Sequence, residues 1–370
     1  MRSSDNGEEA VAVSNSLKFL LFADFHYKKG VYPMAVEHLD AIMKKAHENG
    51  VDYVIHCGDF CNDYVGSPEI VDAYINNEYG LPVYGVLGNH ELEYFVGERF
   101  TPQYAENPMA FVTARINNVP DEVVWGTPSG KYEDGRIGYY YFDVKGIRMI
   151  CTDTNFSYSR ERDAWEHNIT YHAPLGNVHG DALGPEQLGW LEEVLTESAR
   201  QGIPCMVIGH AGLSNLWYHS YDWSAVQEIY QRANAIRKGT VLFSINGHYH
   251  TDHLQVLDNV LYMDVNTVLN GWWVNSHEPH YEDGHTFEFV EYDADGNAVD
   301  VYKKNYHDLS MGNQTWFFKD PLSCIVTVTG DGKITIEGME SGWVYDVVPT
   351  TDGRTGVKAG ISSGKYKLER

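Results

Sequence analysis

The chain has 370 residues and carries 27 Lys and Arg against 52 Asp and Glu, which gives a formal net charge of −25. A surface this acidic has no general attraction for phosphate backbones or anionic lipid, so an extended nucleic-acid partner and a membrane-surface role are disfavoured. At 43% hydrophobic residues the chain is too apolar to be disordered, and its length suits one or two domains.

The five cysteines are scattered singly along the chain, and an odd number without paired spacing does not make a disulfide framework. Residues 1–16 form a polar N-terminal tail without the basic and then apolar pattern of an export signal. This favours a cytoplasmic location, with an exported chain whose signal was removed as the alternative. No run approaches the ~20 apolar residues that a membrane span needs, and nothing in the sequence fixes the oligomeric state.

Short, nearly continuous apolar runs predict buried strands at residues 18–23, 53–57 and 82–87. Between the first two runs, Val36, Leu39 and Met43 recur at helical spacing ahead of Gly50, which predicts a helix. The second half continues with a helix at 185–201, a strand at 205–208, a helix at 224–238 and a strand at 241–245, and Gly202 and Gly239 follow the two helices. This alternation predicts an α/β fold.

Beyond residue 250 the pattern changes to short alternating runs, which are typical of antiparallel strands. The predicted strands are 254–257, 260–264, 287–292, 299–304, 324–329 and 333–337. Gly330-Asp331-Gly332 separates the last two and predicts a tight hairpin. We therefore divide the chain into the tail 1–16, a main domain 17–310 and a β-rich C-terminal extension 311–370. The poorly periodic segments 156–184, 213–223 and 270–285 are predicted to be binding loops.

Polar side chains follow five of the predicted strands, at the point where each strand ends. In chain order they are Asp24 and His26, then Asp59, Asn62 and Asp63, then Asn89 and His90, then His210, and finally His248 and His250. Because the carboxyl ends of parallel strands meet at one edge of a sheet, we expect these side chains to converge. Carboxylate and amide oxygens mixed with imidazoles are the ligands expected for Mn, Fe or Zn. The sequence therefore predicts a metal site.

Taken together and in this order, the fragments resemble the pattern of the calcineurin-like metallophosphoesterase family, which reads D-x-H, G-D, G-N-H-[DE], a lone H and G-H-x-H. The resemblance covers residues 17–250 and implies a four-layer α/β/β/α sandwich, here with a small C-terminal β extension. It also implies two divalent or trivalent metal ions. Carried over by position, the first metal would be held by Asp24, His26 and His250, the second by Asn89, His210 and His248, and Asp59 would bridge both.

The activity that the resemblance implies is hydrolysis of a small phosphomonoester or phosphodiester. Two cations ~3.5 to 4 Å apart can share a water, lower its pKa and align the resulting hydroxide opposite a leaving oxygen. His90 matches the family position of an imidazole that binds no metal and acts as the general acid for the leaving group.

The sequence departs from the family pattern after the bridging position. Many members carry an Asp three residues after the bridging Asp, where it orients the acid His. Here that position is Asn62, and the carboxylate is Asp63, one residue later. Both residues are therefore candidates for the group that orients His90.

Two other functions remain open at this point. His248-x-His250-x-Asp252-His253 has the spacing of metallo-β-lactamase-like hydrolases, but that interpretation leaves Asp24, Asp59 and the other early fragments unexplained. The second alternative is a catalytically inactive binding or scaffold protein that retains the metallophosphoesterase fold.

Several aromatic residues fall in two of the predicted loops. They are Trp217, Tyr218, Tyr221, Trp223, Trp272 and Trp273, with His219 among them. Rings next to a phosphate site would stack on a planar or sugar-like leaving group, at ~1–3 kcal/mol per base. Packing of these rings against the sheet is the alternative.

Overall fold

The computed structural model describes most of the chain. The described residues are 16–27, 35–61, 67–90, 123–126, 138–159, 163–167, 177–213, 220–268, 270–271, 274–275, 286–292, 298–305, 316–342, 350–351 and 358–370. The helices are α1 Ala35–Glu48, α2 Ser67–Ile75, α3 Gly184–Gln201 and α4 Trp223–Ile236. None of the helices in these described ranges is long and apolar enough to cross a membrane.

Strands make up the rest of the regular structure. The first eleven are β1 Ser16–Phe22, β2 Tyr53–His56, β3 Val83–Gly85, β4 Val124–Trp125, β5 Tyr140–Val144, β6 Ile147–Cys151, β7 Phe156–Ser159, β8 Ala164–His167, β9 Asn177–Ala182, β10 Cys205–Gly209 and β11 Val241–Asn246. The remainder are β12 His253–Leu257, β13 Val260–Asp264, β14 Asn270–Gly271, β15 Val274–Asn275, β16 Thr286–Tyr292, β17 Ala298–Asn305, β18 Trp316–Phe317, β19 Cys324–Thr329, β20 Lys333–Glu337, β21 Thr350–Thr351 and β22 Gly364–Lys367.

Two large sheets organise the fold. The first has the order β22-β20-β19-β1-β2-β3, and the second has the order β12-β13-β11-β10-β6-β5-β4. Strands β1, β2 and β3 run parallel, as do β6, β10, β11 and β13, whereas the outer strands of both sheets pair antiparallel. The short strands form the smaller sheets β14-β18, β15-β21, β16-β17 and β8-β7-β9.

The main core lies between the two large sheets. Successive side chains of a strand point to opposite faces, and the burial of β1 and β10 follows this period. Phe19 and Leu21 of β1 and Ile208 of β10 pack in the core between the sheets. Their neighbours Leu20 and Val207 instead face the helices on the outside of each sheet.

Helices cover the outer face of each large sheet. Helices α1 and α2 pack on the first sheet through apolar side chains that include Leu39, Met43 and Tyr74. Helices α3 and α4 pack on the second sheet through Leu195 and Ile229, among others. The predicted α/β/β/α sandwich is therefore confirmed, because each sheet buries one face against the other sheet and one face against helices.

Most predicted elements agree with the structure to within one or two residues. Helix α3 ends before Gly202, whose φ of 77° is left-handed and suits a residue without Cβ. Helix α4 ends at Ile236 with an extended residue after it, so the predicted end next to Gly239 was wrong. The strands β4 to β9 were not predicted, and the supposed loop 156–184 in fact contains β7, β8 and β9.

The C-terminal segment is joined to the first sheet rather than set apart from it. Strand β19 pairs antiparallel with β1 along its whole length, from Ser16 opposite Thr329 to Leu21 opposite Cys324. The predicted hairpin at Gly330-Asp331-Gly332 connects β19 to β20, and β22 continues the same sheet. The domain limits at residues 16 and 310 stay predictions.

Asp264, at the carboxyl end of β13, has a buried carboxyl group of which one oxygen is hydrogen-bonded and the other, among the described residues, is not. Its Oδ1 accepts a 2.7 Å hydrogen bond from Asn246 Nδ2, whereas Oδ2 has no hydrogen-bond partner in the described part of the chain. His253 Nδ1 lies 3.8 Å from that oxygen. Burial raises the pKa of Asp264 to about 7, because a charged carboxylate there would lose its hydration.

The Asp264→Asn variant should be more stable than the wild type at alkaline pH. Because the folded-state pKa is above the ordinary value of about 3.9, the folded protein binds the extra proton between pH ~4 and ~7 and loses that stabilisation as pH rises. The gain from the substitution should be small below pH ~4, grow up to pH ~7, and level off at about 2–4 kcal/mol. Urea unfolding across this pH range measures the difference in the free energy of unfolding between the variant and the wild type.

The control is Asp258→Asn, which changes an exposed carboxylate in the turn of the same hairpin. Its effect on unfolding should stay within about 0.5 kcal/mol at every pH. A stability difference for Asp264→Asn that does not change with pH would show that the carboxyl group does not titrate near neutrality.

Candidate metal centre

Both large sheets deliver polar side chains to the edge where their parallel strands end. The first sheet supplies Asp24 and His26 after β1, Asp59 after β2, and Asn89 and His90 after β3. The second sheet supplies His210 after β10 and His248 and His250 after β11. All are buried except the partly buried His248. These eight side chains, of the ten predicted, therefore meet in one pocket between the sheets.

Left-handed backbone turns aim many of these side chains into the pocket. The φ angles are 52° at Asp24, 49° at His26, 49° at Asp59, 72° at His248 and 53° at His250. Such conformations at residues other than glycine cost of order 1–3 kcal/mol each and persist only where the surroundings impose them. Here the backbone bonds from Asp24 N to Gly58 O (3.1 Å) and from His26 N to Asp59 O (2.8 Å) impose two of these turns.

Glycines let the loops approach each other closely. A Cβ on Gly88 would overlap the carboxylate of Asp59, and a Cβ on Gly247 would lie 2.6 Å from Asp24 Oδ2. Any larger residue would push the ligand loops apart. The glycines in the G-N-H and G-H-x-H fragments are therefore explained by contact between loops.

One group of donors consists of Asp24, His26 and His250. The Nε2 atoms of the two imidazoles are 2.9 Å apart, and His250 Nε2 lies 3.4 Å from Asp24 Oδ1. Asp24 is held in turn by the backbone N–H of His248, which donates to both carboxylate oxygens at 2.9 and 3.0 Å. Three ligand atoms thus face one small volume.

A second group is centred on His210. Its Nδ1 donates to the carbonyl oxygen of Cys57 at 2.7 Å, which leaves the lone pair of Nε2 facing the pocket. That Nε2 lies 2.9 Å from Asn89 Oδ1, 3.1 Å from His248 Nδ1 and 3.1 Å from Asp59 Oδ2. A neutral His210 has no proton on Nε2 to give to any of these three atoms.

Asp59 lies between the two groups. Its Oδ2 is 3.7 Å from His26 Nε2 on one side and 3.1 Å from His210 Nε2 on the other. One carboxylate therefore contacts donors from both groups, which is the position that a bridging ligand requires.

The spacing of the donor atoms suits metal ions. Metal–nitrogen and metal–oxygen bonds of about 2.1 Å place neighbouring ligand atoms ~3.0 Å apart in an octahedron and ~3.4 Å apart in a tetrahedron. Five of the separations are 2.9 to 3.4 Å, close to this range, and His26 Nε2 lies 3.9 Å from Asp24 Oδ1. The donor set, with oxygens and imidazoles and no thiolate, also suits Mn, Fe or Zn.

The pKa values describe a pocket that favours positive charge at the second group. Burial opposes protonation of His210, but the Asp59 carboxylate outweighs it and raises the pKa of His210 to about 10. The same contact, with His90, holds the pKa of Asp59 well below its ordinary value despite burial. Burial and the neighbouring His90 lower the pKa of His26. A cation between Asn89, Asp59 and His210 would supply the charge that a proton otherwise supplies.

His90 lies beside Asp59 and forms a third donor group with His26 and Asp59, whose ligand atoms lie within 4.8 Å of one another. Its backbone N–H donates to Asp59 Oδ1 at 2.8 Å, and its Nε2 is 3.9 Å from Asp59 Oδ2. Its ring is edge-on to that of His26, with 4.7 Å between centroids. Asn62 and Asp63, the candidates for orienting it, lie outside the described residues.

The metallo-β-lactamase-like interpretation is not supported, because its two additional ligands turn away from the pocket. Asp252 accepts hydrogen bonds from the backbone and hydroxyl of Ser362 at 2.8 and 2.6 Å. His253 faces Asp264 instead. Of the predicted loop aromatics, residues 217–219 and 272–273 lie outside the described range, Trp223 begins α4, and Tyr221 is 51% exposed.

Sequence reasoning missed several residues that hold the ligand loops. Asn155 Nδ2 donates to the carbonyl of Leu87 at 3.1 Å, just before Asn89. Thr154 Oγ1 accepts the backbone N–H of Ala211 at 3.1 Å, next to His210. Both follow β6, so the unpredicted apolar run 147–151 and the polar Thr-Asp-Thr-Asn after it carried the same strand-end signal.

His56, at the end of β2, was also missed. Burial lowers its pKa to about 3, so the ring is neutral, and its Nδ1 accepts the backbone N–H of Gly58 at 3.2 Å. This contact fixes the backbone one residue before Asp59. A buried His at the end of an apolar run is the signal that points to it.

A four-layer sandwich with two donor groups at the ends of its strands defines a candidate two-metal centre. The sequence model of the calcineurin-like phosphoesterase family matches residues 17–252, which is more than half of the chain. The chain therefore belongs to the calcineurin-like phosphoesterase family. Membership and the donor groups together support a metal-dependent phosphoester hydrolase.

Two solved structures, among others, are similar to this chain. A dimetal phosphatase from Danio rerio is 14% identical, with a TM-score of 0.51, and the match covers 90% of this chain and 98% of that one. GAP50, the anchor in the inner membrane complex of Plasmodium, is 13% identical with a TM-score of 0.43, covering 96% and 89%. No curated protein sequence gives a significant match. At 14% identity, the likeness to the dimetal phosphatase shows a shared fold alone.

The Asp59→Asn variant should lose both metal ions. Asp59 contacts both donor groups, and an amide offers one neutral acceptor oxygen in place of a carboxylate that can serve two cations. We expect Mn²⁺ affinity to fall by more than about 100-fold, beyond the 10–100-fold typical of residues that only orient ligands. Equilibrium dialysis with elemental analysis measures it.

The matched control is Asp52→Asn, the same substitution just before β2 at its other end, where Asp52 pairs with the surface Lys145. It should bind as much Mn²⁺ as the wild type. If Asp59→Asn also kept two Mn²⁺ per chain with unchanged affinity, Asp59 would not be a bridging ligand.

Proposed function

We propose that the protein is a dinuclear metal-dependent phosphoesterase that hydrolyses a small phosphomonoester or phosphodiester. The observation that carries the proposal is the convergence of two groups of oxygen and imidazole donor atoms on one shared carboxylate, Asp59. Where such atoms are buried, the arrangement is stable only if cations or protons separate the lone pairs. The metals suited to these donors are Mn, Fe or Zn.

Each side chain has a defined part in this proposal. Asp24, His26 and His250 would hold one cation, Asn89, His210 and His248 the other, and Asp59 both. When bound, two such cations lower the pKa of water and offset charge on the phosphoryl oxygens. The Cys57 carbonyl keeps the proton of His210 on Nδ1, so that Nε2 stays available as a ligand.

His90 is proposed as the general acid. The Asp59 carboxylate accepts its backbone N–H and lies 3.9 Å from its Nε2, so the imidazole is held next to the proposed bridging ligand. An imidazole with an ordinary pKa near 6.5 can hold a proton at Nε2 and pass it to a leaving oxygen. The side chain of Asn62 or Asp63 is proposed to orient that ring.

The cytoplasmic location of the protein stays a prediction.

An inactive scaffold of the same fold is the competing function. It is disfavoured because all seven predicted ligand positions carry donor side chains, and each of the seven has a donor atom within 3.4 Å of another ligand's. We expect the protein with added Mn²⁺ to hydrolyse p-nitrophenyl phosphate or bis-p-nitrophenyl phosphate, followed by the release of p-nitrophenolate. Bound metal without turnover of either ester would favour the scaffold.

The His90→Ala variant should keep its metal ions and lose more activity on esters with a poor leaving group than on esters with a good one. p-Nitrophenolate leaves without much proton assistance, whereas an alkyl alkoxide needs a proton, and general acid catalysis contributes about 10²–10⁴-fold. The fall in kcat for an alkyl phosphate should therefore exceed the fall for p-nitrophenyl phosphate by at least about tenfold. Steady-state kinetics on both esters gives the comparison.

Mn²⁺ stoichiometry is the control for this variant, and it should remain at the wild-type value. Equal loss of rate on both esters at full metal occupancy would remove the acid role. Loss of a metal ion would instead identify His90 as a ligand.

A further inference from the structure

Residues 358–362 of the C-terminal segment, which we call the strap, cross the edge of the sandwich where the metal centre lies. The strap is anchored by Ile361, whose side chain is 1% exposed in the core between the sheets. The backbone N–H of Ile361 also donates to Met339 O at 2.7 Å. The strap is therefore a fixed part of the fold, far in sequence from every predicted ligand.

On one side the strap binds the loop that carries His250. Asp252, two residues after that ligand, is 6% exposed, and its Oδ1 accepts the backbone N–H of Ser362 at 2.8 Å. Its Oδ2 accepts the Ser362 hydroxyl at 2.6 Å and lies 3.0 Å from Lys358 Nζ. Lys358 Nζ also donates to Ser362 Oγ at 2.8 Å, which closes a three-membered polar network.

On the other side the strap binds the segment that supports Asp24. Asn266 Nδ2 donates to the strap carbonyls of Lys358 (2.7 Å) and Gly360 (3.0 Å). The next residue, Thr267, donates from Oγ1 to the carbonyl of Asp24 at 2.7 Å. The strap is thus connected to the loops of two side chains in the first donor group.

We infer that the strap positions the first metal site, with Asp252 and Ser362 as positioning residues. This inference rests on the proposed metal pair. His250 and Asp24 have left-handed φ angles of 53° and 52°, conformations that relax unless contacts hold them. The Asp252 network supplies such a contact beyond the end of β11, where the sheet ladder to β13 no longer constrains the loop.

The second donor group has a different support. His210 is held by the Cys57 carbonyl, and the loop of Asn89 is held by Asn155 through the carbonyl of Leu87. None of these hydrogen bonds involves the strap. The second group shares only His248 with the loop that the strap binds. Weakening the strap should therefore loosen the first metal strongly and the second much less.

Ser362→Ala and Lys358→Met test the inference without removing the buried carboxylate. Each variant deletes one partner of Asp252, and we expect the affinity of one Mn²⁺ to fall by about 10–100-fold, as for other residues that orient ligands through one contact. At a free Mn²⁺ concentration just sufficient for both wild-type sites, the stoichiometry should fall from two per chain towards one. Isothermal titration calorimetry and elemental analysis measure this, independently of turnover.

Two neighbours on the same segment serve as matched controls. Ser363→Ala removes a hydroxyl that accepts the backbone N–H of Gly338, away from Asp252, and Lys365→Met removes an exposed lysine of β22. Both should bind two Mn²⁺ with wild-type affinity. Circular dichroism of the metal-free variants checks that each one folds.

The identity of the lost site is tested on a second background. Asn89→Ala removes a predicted ligand of the second metal and should bind one Mn²⁺, and adding Ser362→Ala should weaken that remaining ion by the same 10–100-fold. Unchanged affinity in Ser362→Ala and Lys358→Met would overturn the role of the strap. Absence of Mn²⁺ binding by the wild type would instead overturn the proposed function.

Discussion

The structure depends on a repulsion that the fold itself creates. Two imidazole nitrogens lie 2.9 Å apart in one group, and a nitrogen, an amide oxygen and a carboxylate oxygen lie within 3.1 Å of His210 Nε2 in the other. Wherever no proton or cation lies between two of these atoms, their lone pairs repel. Water cannot relieve this repulsion in a buried pocket, so positive charge must. The pKa of about 10 at His210 shows how strongly the second group favours that charge. A cation that binds to these donors should therefore also stabilise the folded state.

The face-to-face packing of the sheets makes this repulsion unavoidable. Neither sheet alone contains a complete donor group, because Asp24 and Asn89 belong to the first sheet and their partners His250 and His210 to the second. Hydrogen bonds such as His210 to Cys57 O and Asn155 to Leu87 O then lock the two carboxyl edges together. The large apolar core between the sheets stabilises the whole, so the pocket can hold its strained loops.

The C-terminal segment is part of this arrangement and not an accessory to it. Strand β19 pairs with β1, whose end carries Asp24, and the strap reaches Asp252 beside His250. Strands β19, β20 and β22, which follow residue 310, extend the sheet that carries Asp24, Asp59 and Asn89. Alternating runs identified β19 and β20 correctly, but a run of residues carries no information on which distant strand it joins.

The sequence by itself determined the local structure and the chemistry of the donors. Apolar periodicity located β1, β2 and α3, and the polar residues after each strand identified Asp24, Asp59 and His210, because these signals depend on near neighbours in the chain. Only the tertiary structure decided that the donors come from two sheets, that Asp59 lies between both groups, and that Asp252 faces the strap. Those facts depend on contacts between residues over a hundred positions apart, as with Asp252 and Ser362, whose separation no local pattern encodes.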